Sequence, residues 1–216
     1  MLIKPVLSPQ QAAAKIEDGM TLMVGGFMTI GSPEKVIDAI VENGVKNLTV
    51  ICNDAGLPGK GVGKLIEAGQ VSKLVASHIG LNRIAGDKMN SGEMKVELVP
   101  QGTLVEQIRA AGAGLGGVLT KTGVGTLVQE GKRVIEIEGE EFLLELPRKA
   151  DVSLLKASTC DVFGNTLYNK TTKNFNPVMA TAANQVFVEP EEVVEAGKYS
   201  VDAFTTPSVL IDYIVG

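Results

Sequence analysis

Two amides stand where a strand would deliver them to a reacting carbonyl. Asn53 follows the apolar run LTVIC (48–52), and Gln101 follows KVELVP (95–100) and precedes Gly102. Ligands of parallel sheets collect at the carboxyl ends of strands, and an amide N–H there can donate to a carbonyl oxygen or an oxyanion. A second candidate is the stretch VGGFMTIGSPEKV (24–36), where Gly25, Gly26 and Gly31 leave bare backbone between an apolar run and a helical pattern. Free N–H groups and a helix dipole gathered there would suit an anion or a carbonyl. Phe27, Met28 and Ile30 around Thr29 make the loop more apolar than a phosphate cradle, so it fits a long ligand with polar amides and a thin apolar body. A tight turn packed into the core is the alternative, and the loop alone does not choose between them. His78, the only histidine, lies just past a predicted strand, open to packing or to direct chemistry.

Other motifs carry less. GAGLGG (112–117) has the letters of a dinucleotide fingerprint, but it follows a predicted helix rather than a strand, so it reads as a glycine loop near the site. LPGKGVGKL has Pro58 where a phosphate loop needs glycine and Leu65 where it needs Ser or Thr. No G-x-S-x-G elbow accompanies His78, and no cluster of His, Cys or carboxylates has metal-ligand spacing. Glu140 and Glu141 read as a solvated hairpin tip. Cys52 and Cys160 lack metal or redox spacing and read as buried thiols of a reducing cytoplasm.

These residues need a scaffold. Ser8-Pro9-Gln10-Gln11 is a capping box with proline at the first helical position, predicting a helix that ends near Gly19. MTLMV (20–24) reads as a buried strand. Ser32-Pro33-Glu34 repeats the cap, and Val36, Ile37, Ile40 and Val41 share the face of a helix stopped by Gly44. Strands at 48–52, 73–77 and 95–99 follow, with a short helix over 61–69 and a Thr103–Glu106 capping box opening another helix. Unbroken apolar strands alternating with helices predict a parallel sheet covered on both faces. RVIEIEGEEFLLEL (133–146) alternates with period two around Gly139-Glu140, a β-hairpin excursion from a single domain spanning 1–216. Strands in DVSLLKAS, GNTLYN and QVFVEP, and a helix in FNPVMATAA, complete the pattern.

Composition narrows the classes. Aromatic residues are 4% of the chain and Trp is absent, so the core is aliphatic; the 25 glycines are spread without a period. A net charge of −5 without a Lys/Arg cluster argues against a nucleic-acid partner. No apolar run approaches a membrane span, and the first residues carry no apolar signal region, which together predict a cytoplasmic protein.

DGMTLMVGGFMTIGSP (18–33) fills every fixed place of a signature of the 3-oxoacid coenzyme A transferases: an acidic or amide residue, Gly, two free positions, three apolar residues, Gly-Gly-Phe, three free positions, Gly, one free position, Pro. The similarity continues through NDAG, ASHIGLN, SGEMKVELVPQGTLVEQIRAAGAGLGG, TKTGVGTLVQEGK, ADVSLLKAS and NFNPVMA. In length and content the chain resembles the alpha subunits of the two-subunit enzymes that use acetate, acetoacetate or butyrate. The resemblance implies a three-layer α/β/α fold and a reaction that moves CoA from an acyl-CoA to a carboxylate through glutamyl anhydride and glutamyl-CoA intermediates. It implies CoA contact by Gly25 to Gly31, an oxyanion-donor role for Gln101, and a cleft position for Asn53. CoA enters as a substrate, with no tightly bound cofactor. The nucleophilic glutamate belongs to a Ser-Glu-Asn-Gly signature of the beta subunit. Here Glu42-Asn43-Gly44 has Val41 in place of Ser and Lys46 in the following apolar pair, and reads as a helix C-cap. The chain therefore requires a beta subunit, in an α2β2 or larger complex. A sugar-phosphate isomerase of related fold and a non-catalytic acyl-CoA-binding module are the rival readings.

Overall fold

The computed structural model describes residues 2–216. The chain runs β1 (Val6–Leu7), α1 (Pro9–Ala13), β2 (Thr21–Val24), α2 (Glu34–Asn43), β3 (Leu48–Cys52), α3 (Val62–Glu67), β4 (Val71–Ala76), α4 (Arg83–Ser91), β5 (Lys95–Leu98) and α5 (Gln101–Gly112). It continues with β6 (Val118–Thr120), β7 (Arg133–Ile137), β8 (Glu140–Glu145), β9 (Ala150–Asp161), β10 (Thr166–Leu167), α6 (Asn176–Met179), β11 (Ala183–Val194) and β12 (Tyr213–Val215). Among the described residues, the main sheet has the order β1-β12-β11-β9-β2-β3-β4-β5, parallel throughout, with β10 antiparallel on β9.

Alternate strand residues feed two cores, one on each face. Leu22, Val24, Val50 and Leu74 pack with Ile37, Ile40, Leu65 and Ala85 from α2, α3 and α4. Met23, Ile51, Val75 and Leu155 pack with Leu104 and Ile108 of α5 and Met179 of α6. The central strands therefore need apolar residues on both faces, and the expected three-layer α/β/α sandwich is what forms. The excursion is larger than the expected hairpin: β7 and β8 pair across Gly139, and β6 adds a third strand on β8.

Several helix ends differ from the sequence expectation. The Ser8 capping box is present, with Gln11 N–H donating to Ser8 Oγ at 3.1 Å and Ser8 N–H to Gln11 Oε1 at 2.9 Å. The helix nevertheless stops at Ala13, well before Gly19, because Lys15 and Ile16 turn back onto Ala12 and Ala13 in tighter three-residue bonds. Ser32 does not cap α2; it is buried under Gly26, and Pro33 occupies the cap position. Thr103 does not open α5, which starts two residues earlier at Gln101 after Pro100. Glu42-Asn43-Gly44 behaves as the expected C-cap: Gly44 has φ of 72° and its N–H donates to Ile40 O and Val41 O.

Candidate active site

Three of the candidate residues meet in one cleft at the carboxyl ends of the strands. Phe27 leaves β2, Asn53 leaves β3, and Gln101 and Gly102 open α5 after β5; with Val105, Thr171, Asn174 and Phe175 they line a cleft of about 490 Å³. Gln101 Nε2 donates to Asn53 Oδ1 at 2.8 Å. The Asn53 acceptor is fixed from its other side by Ser77 Oγ at 3.1 Å, and Ser77 also binds the Asn53 carbonyl through its N–H at 2.9 Å and its hydroxyl at 2.6 Å. Asn53 is buried and Gln101 exposed. One Nε2 hydrogen therefore orients the Gln101 amide, and the second remains for a substrate oxygen. The first turn of α5 has no acidic residue and no side-chain cap, so its positive end adds to the field beside Gln101.

The glycine loop has a different construction from the one its composition suggests. Of the N–H groups in residues 25–32, those of Gly25, Gly26, Phe27, Met28, Ile30 and Ser32 all donate within the protein. The start of α2 is likewise spoken for, since Val36 N–H donates to Glu189 Oε2 at 3.0 Å, and Glu189 is buried against Lys156 at 3.2 Å. The loop is thus no open anion nest. Its glycines answer to protein atoms: a Cβ on Gly25 would lie 1.9 Å from Asn176 Oδ1, one on Gly26 2.1 Å from Ser32 Oγ, and one on Gly31 2.7 Å from Asn174 Nδ2. What the loop presents to solvent is its apolar tip, with Phe27 39%, Met28 42% and Ile30 52% exposed.

Asp54 lies behind the tip. Its Oδ1 accepts from Met28 N–H and its Oδ2 from Gly56 N–H, both at 3.1 Å. Burial pushes its carboxyl above the ordinary range, partly offset by those two N–H donors and by His78. His78 is bridged to Asp54 through backbone, and its side chain is exposed rather than packed. Cys52 and Cys160 are buried free thiols; burial, then the neighbouring Asp161, holds Cys160 at about 12, so neither is poised as a nucleophile. The glycine run 112–117 begins at the far end of α5, roughly 16 Å from Gln101 at ~1.5 Å per residue, and is not part of the cleft. Thr171, Asn174 and Phe175 were not singled out from the sequence; the only signal was the NFNPVMA stretch.

The family model described as Coenzyme A transferase matches residues 6–216. The chain belongs to the coenzyme A transferase family. This CoA-transferase chain is 57% identical over 199 residues to the acetoacetyl-CoA:acetate/butyrate CoA transferase alpha subunit of Clostridium acetobutylicum, covering 92% of this chain and 91% of that one. It is 50% identical over 210 residues to the acetate CoA-transferase subunit alpha of Escherichia coli, covering 97% and 96%. Among solved structures, an acyl-CoA transferase of Escherichia coli O157:H7 in a thioester complex with CoA superposes with a TM-score of 0.89 at 24% identity, covering 99% of this chain and 47% of that one. That likeness is one of fold; the present chain spans about half the length of that transferase. The relatives support a CoA-transferase and give no support to an isomerase or a non-catalytic binding module.

Proposed function

We propose that this chain is the alpha subunit of a two-subunit enzyme that moves CoA between a short-chain acyl-CoA and acetate, acetoacetate or butyrate. The observation that carries the reading is the Gln101–Asn53 hydrogen bond inside the cleft, in a chain 57% identical to an alpha subunit named for such substrates. The nucleophile is a glutamate of a beta subunit. Its carboxylate attacks the thioester carbonyl, the CoA thiolate leaves, and an acyl-glutamyl anhydride forms. The thiolate then attacks the glutamyl carbonyl, expelling the product carboxylate and leaving glutamyl-CoA. The acceptor acid runs the same steps in reverse. Each attack places negative charge on a carbonyl oxygen, and the second Nε2 hydrogen of Gln101 is the donor that meets it. Phe27, Met28 and Ile30 contact the thin arm of CoA, while Gly25, Gly26, Thr29 and Gly31 allow the turn that presents them. CoA is substrate rather than resident cofactor.

Residues 1–216 form one domain in this reading, in an α2β2 or larger assembly, located in the cytoplasm and without nucleic-acid or membrane partners. No helix among the described residues is long and apolar enough to cross a membrane. A transfer assay with acetyl-CoA and acetoacetate or butyrate tests the proposal. Activity is expected only when the chain is co-expressed with its beta subunit, and Glu42→Ala should leave that activity intact. Turnover by the chain alone, or a dead but assembled Glu42→Ala complex, would place the nucleophile here instead.

A further inference from the structure

The tip of the glycine loop is a conformation its own residues disfavour. Phe27 and Ile30 exchange both backbone hydrogen bonds at 3.0 Å, closing a two-residue turn on Met28 and Thr29. Both central residues are left-handed, with φ of 48° and 69°. Such a turn ordinarily takes Asn-Gly; a long side chain followed by a β-branched one is strained there, and persists only when its surroundings hold it.

Two side chains from outside the loop do the holding. Asp54 accepts from Met28 N–H at the crown of the turn. Asn174 spans its base: Oδ1 accepts from Gly26 N–H at 3.1 Å, and Nδ2 donates to Ile30 O at 3.0 Å. Asn174 is itself fixed by Phe175 N–H at 2.7 Å, by Asn176 Nδ2 at 3.3 Å, and by donation to Thr171 O at 3.0 Å. Asn176 extends the clasp to Gly31 O at 3.1 Å. Both Nδ2 hydrogens of Asn174 are thereby used inside the protein, so its place in the cleft wall is not that of a ligand donor.

The geometry points to Asn174 as a positioning residue for CoA use: it fixes the strained Met28–Thr29 turn so that Phe27 stands in the cleft wall shared with Gln101. This rests on the CoA-transferase reading. The clasp also joins residues 174 to 176, at the start of α6, to the loop that follows β2.

A double-variant cycle in the assembled complex separates positioning from bulk stability. Asn174→Ala should lower kcat/KM for acyl-CoA at least tenfold, raise amide exchange at Gly26 and Met28, and change kcat/KM for the carboxylate acceptor much less. Thr29→Gly relieves the β-branched one of the two strained positions and leaves Met28 to Asp54, so the turn depends less on the clasp and in that background Asn174→Ala should cost less than about threefold. The same loss in both backgrounds, or unchanged exchange at Gly26, would overturn the assignment. If Asn174→Ala alone does not assemble, Thr29→Gly/Asn174→Ala against Thr29→Gly supplies the comparison, and a penalty of tenfold or more there overturns it. The exchange measurement reads the clasp whatever reaction the complex performs, so failure of the CoA-transferase reading would show separately, as inactivity of the unsubstituted complex.

Discussion

At the scale of single residues, the site separates groups that face the cleft from groups that face the fold. Gln101 is exposed, its amide oriented by buried Asn53. Removing one donor to an oxyanion ordinarily costs ~10²–10³ in turnover, so Gln101→Ala should lower kcat by about that factor while KM for acyl-CoA moves far less; steady-state kinetics of the assembled enzyme decide it. Gly26 belongs to the other group. With φ of 125° and Ser32 Oγ 2.1 Å from the position of a Cβ, it has no room for any side chain. Gly26→Val should destabilise the chain by ~3 kcal/mol or more from backbone strain and overlap together, read as a lower melting temperature. A loss of CoA use in that variant therefore reports on packing, and Asn174→Ala is the cleaner probe of the loop.

At the scale of elements, the period of the apolar residues was a good guide and the local caps were not. Strands buried on both faces and helices with one buried stripe carry their environment in their own residues, as the faces of α2 and β2 show. A helix start is decided by whatever reaches it. Ser32-Pro33-Glu34 looks self-sufficient, yet the acceptor at α2 comes from Glu189, 153 residues downstream of Val36. Thr103-x-x-Glu106 matches a capping box, yet Pro100 ends the preceding segment first and draws Gln101 into the first turn. That Asn53, Gln101 and Phe27 share one cleft was legible because strand ends are predictable. Asn174 was not, because only the folded sheet brings β9 and its following loop beside β2.

Another long-range link ties α5 to the neighbouring elements. Arg148 donates to Gln107 Oε1 at 2.6 Å and pairs with Glu97, which also pairs with Lys73 at 2.8 Å. Burial would raise the Glu97 carboxyl, but Lys73 and Arg148 outweigh it and hold it below the usual range. A carboxyl lowered in the folded state stabilises above its unfolded value and loses that contribution as pH falls through the folded one. Acid unfolding of Glu97→Gln should accordingly be less steep below the ordinary carboxylate range than that of the unsubstituted chain, as followed by circular dichroism.

At the scale of the whole molecule, the sheet is built outward from β2 in two directions. β3, β4 and β5 lie on one side and β9, β11, β12 and β1 on the other. The first direction supplies Asn53 and Gln101; the second supplies Asn174 and Phe175. The two sets meet over the loop that leaves β2, near the point where the strand order changes direction, which is where open parallel sheets place ligands. The paired amides of the cleft and Asn174, which clasps the base of the loop, thus come from opposite halves of the sheet.

That division has a temporal side. Gly26 and Asn174 are 148 residues apart, and the β2 residue Thr21 is secured by Asp151, 130 residues on. Contacts of such separation close late, after local helices and neighbouring strands. As the chain leaves the ribosome, the loop, α2 and the amide of Gln101 all emerge long before the clasp exists. Until Asn174 is made, only Asp54 and the Phe27–Ile30 backbone pair oppose relaxation of the strained turn, so the loop takes its final shape late, as one of the later folding events.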